Sequence, residues 1–285
     1  MVIMPVRLRT GMRAEVLEDP SRDRSWEVER VVRSLRGPES GVVAMSGGVD
    51  SAVVAALLVR ALGARAHAVT LTGPAVTSGE VDRSRAVARF LGIQHTLVPA
   101  DPLESPEYRA NPTDRCYFCR SVETAAIRAW GRAHGVERFY DGVHRDDLGE
   151  DRPGIRAMEE AGFRHPLVEA GWGKAHVRRF ARSIGLPNAD QPSDACLASR
   201  IRHGQSIDPQ LLGTIARAEE IVRRRGFRRV RVRVDGTSAR VEVDPAETPA
   251  LLAEPLAGEV RRELLQMGFD PVTLDPAGYR GRPGQ

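Results

Sequence analysis

Long hydrophobic runs are missing from this chain of 285 residues. No apolar stretch approaches the ~20 residues that a membrane-spanning helix needs, which excludes a helical membrane protein. The opening Met1-Val2-Ile3-Met4-Pro5-Val6-Arg7 meets proline and charge too soon for a secretory signal. The expected location is therefore the cytoplasm. Cysteine is scarce, at three residues, which argues against a disulfide framework. Three thiols in a reducing compartment point instead to metal binding or catalysis. A large net charge is also missing: the balance is +4, with arginine far outnumbering lysine, and suits anionic small molecules as well as nucleic acid. Internal repeats are absent. So are the two common phosphate loops: nothing matches the Gly-Lys-Ser/Thr ending of a Walker A loop, and no G-x-G-x-x-G is present.

What is present is Val42-Val43-Ala44-Met45-Ser46-Gly47-Gly48-Val49-Asp50-Ser51, followed by the apolar run Ala52 to Val59. The first part reads as a buried strand, the middle as a glycine turn, the last as a helix. That order aims backbone N–H groups and the positive end of a helix dipole at a phosphate. Gly47 and Gly48 clear the approach, and the Ser46 and Ser51 hydroxyls offer further donors. Asp50 suits a divalent cation, since a carboxylate beside a triphosphate acts through Mg²⁺. The plainer reading is a Ser/Gly turn that merely caps a helix. The segment S-G-G-V-D-S resembles the PP-loop of ATP pyrophosphatases. The resemblance implies ATP cleavage between the α and β phosphates, with Ser46, Gly47, Gly48, Val49, Asp50 and Ser51 at the nucleotide.

Along the chain, residues 1–24 are charged and aperiodic and read as a mobile tail. Trp26 to Arg36 carries Val28, Val31, Val32 and Leu35 at helical spacing. After the loop and its helix come a strand at Ala66–Leu71, a helix from Ser78 to Leu91 closed by Gly92, and a strand at Ile93–Val98. A helix is expected at Val122–His134, a strand at Arg138-Phe139-Tyr140, and a helix at Lys174–Ile184 stopped by Gly185 and Pro187. Strands alternating with helices predict an α/β fold with a parallel sheet, whose ligands sit beyond the strands' carboxyl ends. Asp141, just past a strand, is placed for that site. From about residue 204 the pattern changes to a small α+β region. It has a helix from Pro209, a hairpin joining Val230–Val234 to Ala239–Val243 across Asp235-Gly236, a helical stretch from Leu251 to Met267 broken near Pro255, and a last strand at Val272–Leu274. The expected division is a nucleotide domain over 25–203, a small domain over 204–278 and a loose tail over 279–285.

Cys116 and Cys119 form a C-x-x-C pair, with Cys196 far away. A redox dithiol lacks a thioredoxin-like context. A zinc site needs a fourth ligand, which His144 or His203 would supply. Three thiolates on an iron–sulfur cluster leave one iron open. Spacing alone leaves zinc and cluster equal. An ATP pyrophosphatase with a thiol cluster looks like a sulfur-inserting enzyme, because adenylation makes an oxygen a leaving group that sulfur displaces.

Further segments make the resemblance specific: Asp141-Gly142 with Asp151-Arg152-Pro153-Gly154, Cys196-Leu197-Ala198-Ser199-Arg200, and Gly226-Phe227 with Val230-Arg231-Val232-Arg233. With the PP-loop they make the chain similar to the LarE family of ATP-dependent sulfur transferases, which acts in making the nickel-pincer nucleotide. The resemblance implies adenylation of a carboxylate on a pyridinium mononucleotide, with ATP and Mg²⁺. Some members sacrifice the sulfur of one cysteine, at the position of Cys196. Others carry three cysteines and a [4Fe-4S] cluster. This chain resembles the second branch, with Cys116, Cys119 and Cys196 as iron ligands.

Arg231 and Arg233 share one face of a strand, as does Arg229. The resemblance implies that Arg231 and Arg233 clamp the substrate's phosphate; the bland reading is a charge-blunted edge strand. Arg200 would bind substrate phosphate or carboxylate, or else form an ordinary ion pair. Glu219 matches an acidic metal-linked position of the family and serves equally as an i,i+4 partner of Arg223. No histidine shows ligand spacing. The expected partner is a small nucleotide-like substrate, with no membrane and no nucleic acid, and the family leans toward a homo-oligomer. Three rivals remain: a tRNA thiolase, an amide-forming ligase of the GMP- or NAD-synthetase kind, and an adenine-nucleotide sensor that does not turn over.

Overall fold

A computed structural model describes residues 25–148, 152–192 and 195–280. The expected tail over 1–24, Asp151 and the last five residues lie outside them. The chain opens with α1 (Ser25–Leu35), β1 (Gly41–Ala44), α2 (Val49–Leu62), β2 (Ala66–Thr72), α3 (Ser78–Leu91) and β3 (Gln94–Pro99). It continues with α4 (Pro106–Arg109), α5 (Arg115–His134), β4 (Arg138–Tyr140), α6 (Pro153–Glu160), β5 (Phe163–Arg164), α7 (Pro166–Glu169) and α8 (Lys174–Ser183). The last third holds α9 (Pro209–Arg223), β6 (Val230–Asp235), β7 (Ser238–Val243), α10 (Thr248–Leu252), α11 (Leu256–Gln266) and β8 (Val272–Leu274).

The first five strands form one parallel sheet in the order β3-β2-β1-β4-β5. The chain winds outward from β1 through β2 to β3, then returns past β1 to β4. Strand order therefore reverses between β1 and β4. In such sheets the ligand crevice opens beyond the carboxyl ends at that reversal. The Ser46–Ser51 turn follows β1 and Asp141 follows β4, so topology alone brings them together.

Local chemistry explains the elements. Helix α2 is apolar on every side because it is covered on every side: Val53, Val54, Leu57 and Leu58 are all fully buried. Each such Val or Leu contributes about 1.5–3 kcal/mol. Helix α3 starts at a capping box, in which Thr77 accepts from the Glu80 N–H and Glu80 accepts from the Thr77 N–H, and it ends at Gly92 in the left-handed region. Helix α8 buries Val177, Phe180 and Ala181 on one stripe, as its spacing predicts.

Two differences from the sequence reading matter. Helix α5 begins at Arg115, not Val122, so Cys116 and Cys119 lie in its first turn. Three residues apart, they share one helix face. Strand β5 has only two residues, too few for alternation to show, and the sequence reading lacks it.

The hairpin β6–β7 turns at Gly236, with φ of 60°, and β8 adds in parallel to β7. Helices α9 and α11 pack on this sheet around Ile215, Val222, Val232, Val241 and Leu264. That second core also takes in Leu103, Tyr108, Leu197 and Ala198 from earlier in the chain. The segment carrying Cys196 is thus anchored in the C-terminal core.

Candidate functional site

The turn after β1 is closed by its own side chains. Ser51 Oγ accepts from the Ser46 N–H at 3.3 Å and donates to the Gly48 carbonyl at 3.1 Å, while Ser46 Oγ accepts from the Gly48 N–H at 3.4 Å. Gly47 sits at φ 80°, and a Cβ there would lie 2.6 Å from the Glu80 carbonyl oxygen. Gly48 caps α2. Val49 is buried and turns its side chain into the core, leaving only its backbone for a ligand.

Distant segments complete this region. Gly142 presses against the loop so closely that a Cβ would stand 2.5 Å from the Ser51 nitrogen. Asp141 is buried; its Oδ1 accepts from Val143 N–H at 3.0 Å and pairs with His165 Nδ1 at 2.8 Å. Its Oδ2 is buried and has no hydrogen-bond partner among the described residues. Burial alone would lower the His165 pKa, but the hydrogen bond and charge of Asp141 outweigh it and raise it. Lys174 Nζ reaches both Asp50 oxygens, at 2.6 and 2.8 Å, and His144 Nε2 lies 3.9 Å from the same carboxylate. Asn188, also buried, donates to the Gly47 carbonyl at 2.9 Å.

Lys174, His144, His165 and Asn188 escaped the sequence reading. For Lys174 a signal existed: it is the single lysine beside 41 arginines, in a total of 42. A chain that uses arginine everywhere else places its one compact ammonium against Asp50.

The cysteines converge. All three are free thiols, with Cys116 and Cys196 exposed and Cys119 half-buried. Cys119 lies against the C-terminal core, and its thiol donates to Glu123 Oε1 at 3.5 Å. Burial, then the Glu123 charge, push that thiol well above the usual range; Cys196 contributes in the same direction. Desolvation of its sulfur, then the charge of Cys116, raise Cys196, with Arg115 pulling the other way. Each thiol is therefore within electrostatic reach of another. Among the described residues, no group of three or more His, Cys, Asp or Glu side chains is arranged to hold a metal ion. Arg120 connects the two regions: it pairs with Glu123 at 2.5 Å, and the charges of Glu123, Cys119 and Asp141 all favour its protonated form.

The arginines divide. Arg200 is 2% exposed and Glu219 is 0% exposed. Glu219 Oε1 accepts from Arg200 Nε at 2.7 Å and from the Val232 N–H at 3.2 Å, and its Oε2 takes Arg223 at 2.5 Å. Both carboxylate oxygens are engaged by cations. The metal role considered for Glu219 is replaced here by an organising ion pair, and the i,i+4 pair with Arg223 is present. Arg200 also donates to the carbonyls of Ala195 and Cys196 and to Ser199 Oγ at 3.0 Å. It fixes the Cys196 turn instead of facing a ligand. Arg231 is buried and Arg233 half-buried. Arg233 donates to Glu242 at 3.1 Å and to the Ser199 carbonyl at 3.0 Å. Arg229, Arg231 and Arg233 stand 5.1, 5.2 and 6.0 Å from the centre of the Tyr279 ring, which gathers their common face. A cavity of about 580 Å³ opens beyond β2 and β3, lined by Thr72, Gly73, Asp101, Glu104, Val122 and Ala126. No helix among the described residues is long and apolar enough to cross a membrane.

Known proteins bear on this arrangement. The NAD synthase family profile matches residues 25–117. An uncharacterized protein of Synechocystis is 38% identical over 85% of this chain and 90% of its own length. The pyridinium-3,5-bisthiocarboxylic acid mononucleotide synthase of Lactiplantibacillus plantarum is 30% identical over 88% of this chain and 90% of its own. The NH(3)-dependent NAD(+) synthetase of Halobacterium salinarum is 30% identical over 65% of this chain and 69% of its own.

Proposed function

Because the chain belongs to the LarE family, that of the pyridinium-3,5-bisthiocarboxylic acid mononucleotide synthase, within the PP-loop ATP-using enzymes, we propose that it is an ATP-dependent sulfur transferase acting on a carboxylate of a pyridinium mononucleotide. The observation that carries this reading is the convergence of three thiols on a cleft whose other wall is the phosphate loop, joined through Arg120.

In this reading the backbone of Ser46–Ser51 and the two serine hydroxyls hold the triphosphate. Asp50 holds Mg²⁺, and Lys174, now resting on Asp50, turns to the phosphates when the cation arrives. The cavity beyond β2 and β3 receives the nucleoside. The substrate carboxylate attacks the α phosphorus, pyrophosphate leaves, and sulfur then displaces AMP from the acyl carbon. Arg231 and Arg233, set by Tyr279 and Glu242, bind the substrate's phosphate. Asp141, with one free oxygen and His165 behind it, orients groups at the phosphate end.

Cys116, Cys119 and Cys196 are the residues that would hold a [4Fe-4S] cluster. The residues fit such a group. The thiols are mutually close, Glu123 stands ready to take the Cys119 proton, and the buried Tyr108 Oη and Arg115 Nε lack partners among the described residues. A three-thiolate cluster supplies an open iron that carries sulfur.

The test is pyrophosphate release with a pyridinium biscarboxylate mononucleotide, ATP and Mg²⁺, followed by mass spectrometry of the product. Oxygen-to-sulfur exchange in the product supports the reading. Release with ammonia and formation of an amide instead would assign the chain to the amide-forming ligases. The exposure of Cys196 favours a second reading, in which its own sulfur is given up. A dehydroalanine at position 196 after turnover would establish it and retire the cluster.

A further inference from the structure

Beside the three cysteines stands a buried hydroxyl with nothing to bind. Tyr108 lies on the short helix α4, held there by Ser105 Oγ, which accepts from the Tyr108 N–H at 3.2 Å. The residue is 1% exposed, and its hydroxyl has no hydrogen-bond partner among the described residues. Its ring belongs to the apolar cluster that also contains Leu197 and Ala198, and Cys119 packs against that cluster. The cysteine thiols of Cys119 and Cys196 act on the hydroxyl electrostatically, and with burial they hold it protonated, so it can only donate.

An orphaned buried donor destabilises the fold, and phenylalanine would fill the same volume without that cost. Arg115 repeats the pattern. It is 7% exposed, its Nε is unpartnered among the described residues, and its charge is felt at both Cys196 and Tyr108. Two buried donors without acceptors, both beside the thiols, describe a pocket shaped for an electron-rich group that the protein alone does not provide.

Resting on the iron–sulfur reading above, we propose that Tyr108 donates a hydrogen bond to the sulfur-bearing group that Cys116, Cys119 and Cys196 hold, and that it positions that group's sulfur for transfer. Tyr108 is a positioning residue; its proton stays on oxygen throughout. By stabilising negative charge on sulfur it raises the reduction potential of the group and strengthens capture of hydrosulfide at the open iron.

Tyr108→Phe in the full chain tests this. As the metal-free protein, the variant unfolds at the same or higher urea concentration than the parent, because it removes an orphan. After anaerobic reconstitution it holds as much iron and acid-labile sulfide as the parent. Its midpoint potential is more negative, and its affinity for sodium hydrosulfide, followed by optical titration, is about tenfold weaker, the size of one hydrogen bond to a charged acceptor. Equal potential and equal hydrosulfide affinity in variant and parent would overturn the proposal and leave the cluster standing. A lower urea midpoint for the metal-free variant would overturn it too, since the hydroxyl would then have a partner within the protein. A parent chain that binds no iron would bring down the cluster reading and this proposal together.

Discussion

The phosphate region and the thiol region differ in how finished they are. Around the loop, donors and acceptors largely satisfy one another: Ser46, Ser51 and Gly48 close the turn, Asn188 pins Gly47, and Lys174 neutralises Asp50. Around the cysteines the protein leaves Tyr108 Oη and Arg115 Nε unsatisfied and three thiols free. The first region can wait for ATP at little cost, because each charge has a stand-in partner. The second is complete only with an additional group. Buried polar atoms without partners are costly, so where a fold retains them they mark something still to be bound.

The comparison can be broken in four places. The largest effect is expected at Glu219. Glu219→Ala strands the buried Arg200 and should cost about 3–5 kcal/mol in urea unfolding. It should also loosen the Cys196 turn while ATP binding by the folded fraction persists. Unchanged stability would mean that Arg200 finds another partner. Next, Gly142→Ala pushes a methyl group into the Ser51 backbone, and a displacement of that size should lower pyrophosphate release about 10²-fold. Metal content at the cysteines should not change; if both fall, the two regions are one cooperative unit. Lys174→Met removes the cation on Asp50 and should lower the same rate by roughly 10- to 10²-fold, as expected for a lost charged hydrogen bond. A normal rate would confine Lys174 to holding the empty site. The smallest effect concerns His165. Its pKa is raised in the folded state, so the Asp141 pair adds stability that is fully present below the ordinary histidine pKa and is lost as pH climbs through the raised value. His165→Gln should flatten that part of the stability-versus-pH curve, measured by urea unfolding across the neutral range. A curve identical to the parent's would show that the pair does not titrate in this window.

How much of this was legible in the sequence follows the same division. The phosphate turn is contiguous: strand, Ser-Gly-Gly, helix, with glycines where a side chain cannot fit, and it is read directly. Helix α3, with its Thr77–Glu80 box and Gly92 stop, is read almost to the residue for the same local reason. What the sequence hides is contact across distance. Lys174 meets Asp50 across 124 positions and Asn188 meets Gly47 across 141. Neither has a local pattern, although the lone lysine is a compositional sign. Arg200 and Glu219 are readable as charged residues but not as partners, because only the packing of the Cys196 turn against α9 and β6 buries them together. The start of helix α5 reads too late because its polar opening, Arg115-Cys116-Tyr117-Phe118-Cys119, carries no clean apolar stripe, yet tertiary packing completes the turn.

The Arg200–Glu219 pair has an evolutionary corollary. The guanidinium that sets the Cys196 turn is itself held by a carboxylate from the C-terminal third of the chain. Shortening the protein before α9 would leave the parallel sheet and its phosphate turn intact but release the turn that presents Cys196. A shorter ancestor could have burned ATP, yet sulfur handling had to arrive with the C-terminal segment or wait for it. The same dependency instructs anyone grafting this chemistry onto another ATP pyrophosphatase: transplanting the cysteines without their distant carboxylate would move the ligands and leave behind what aims them.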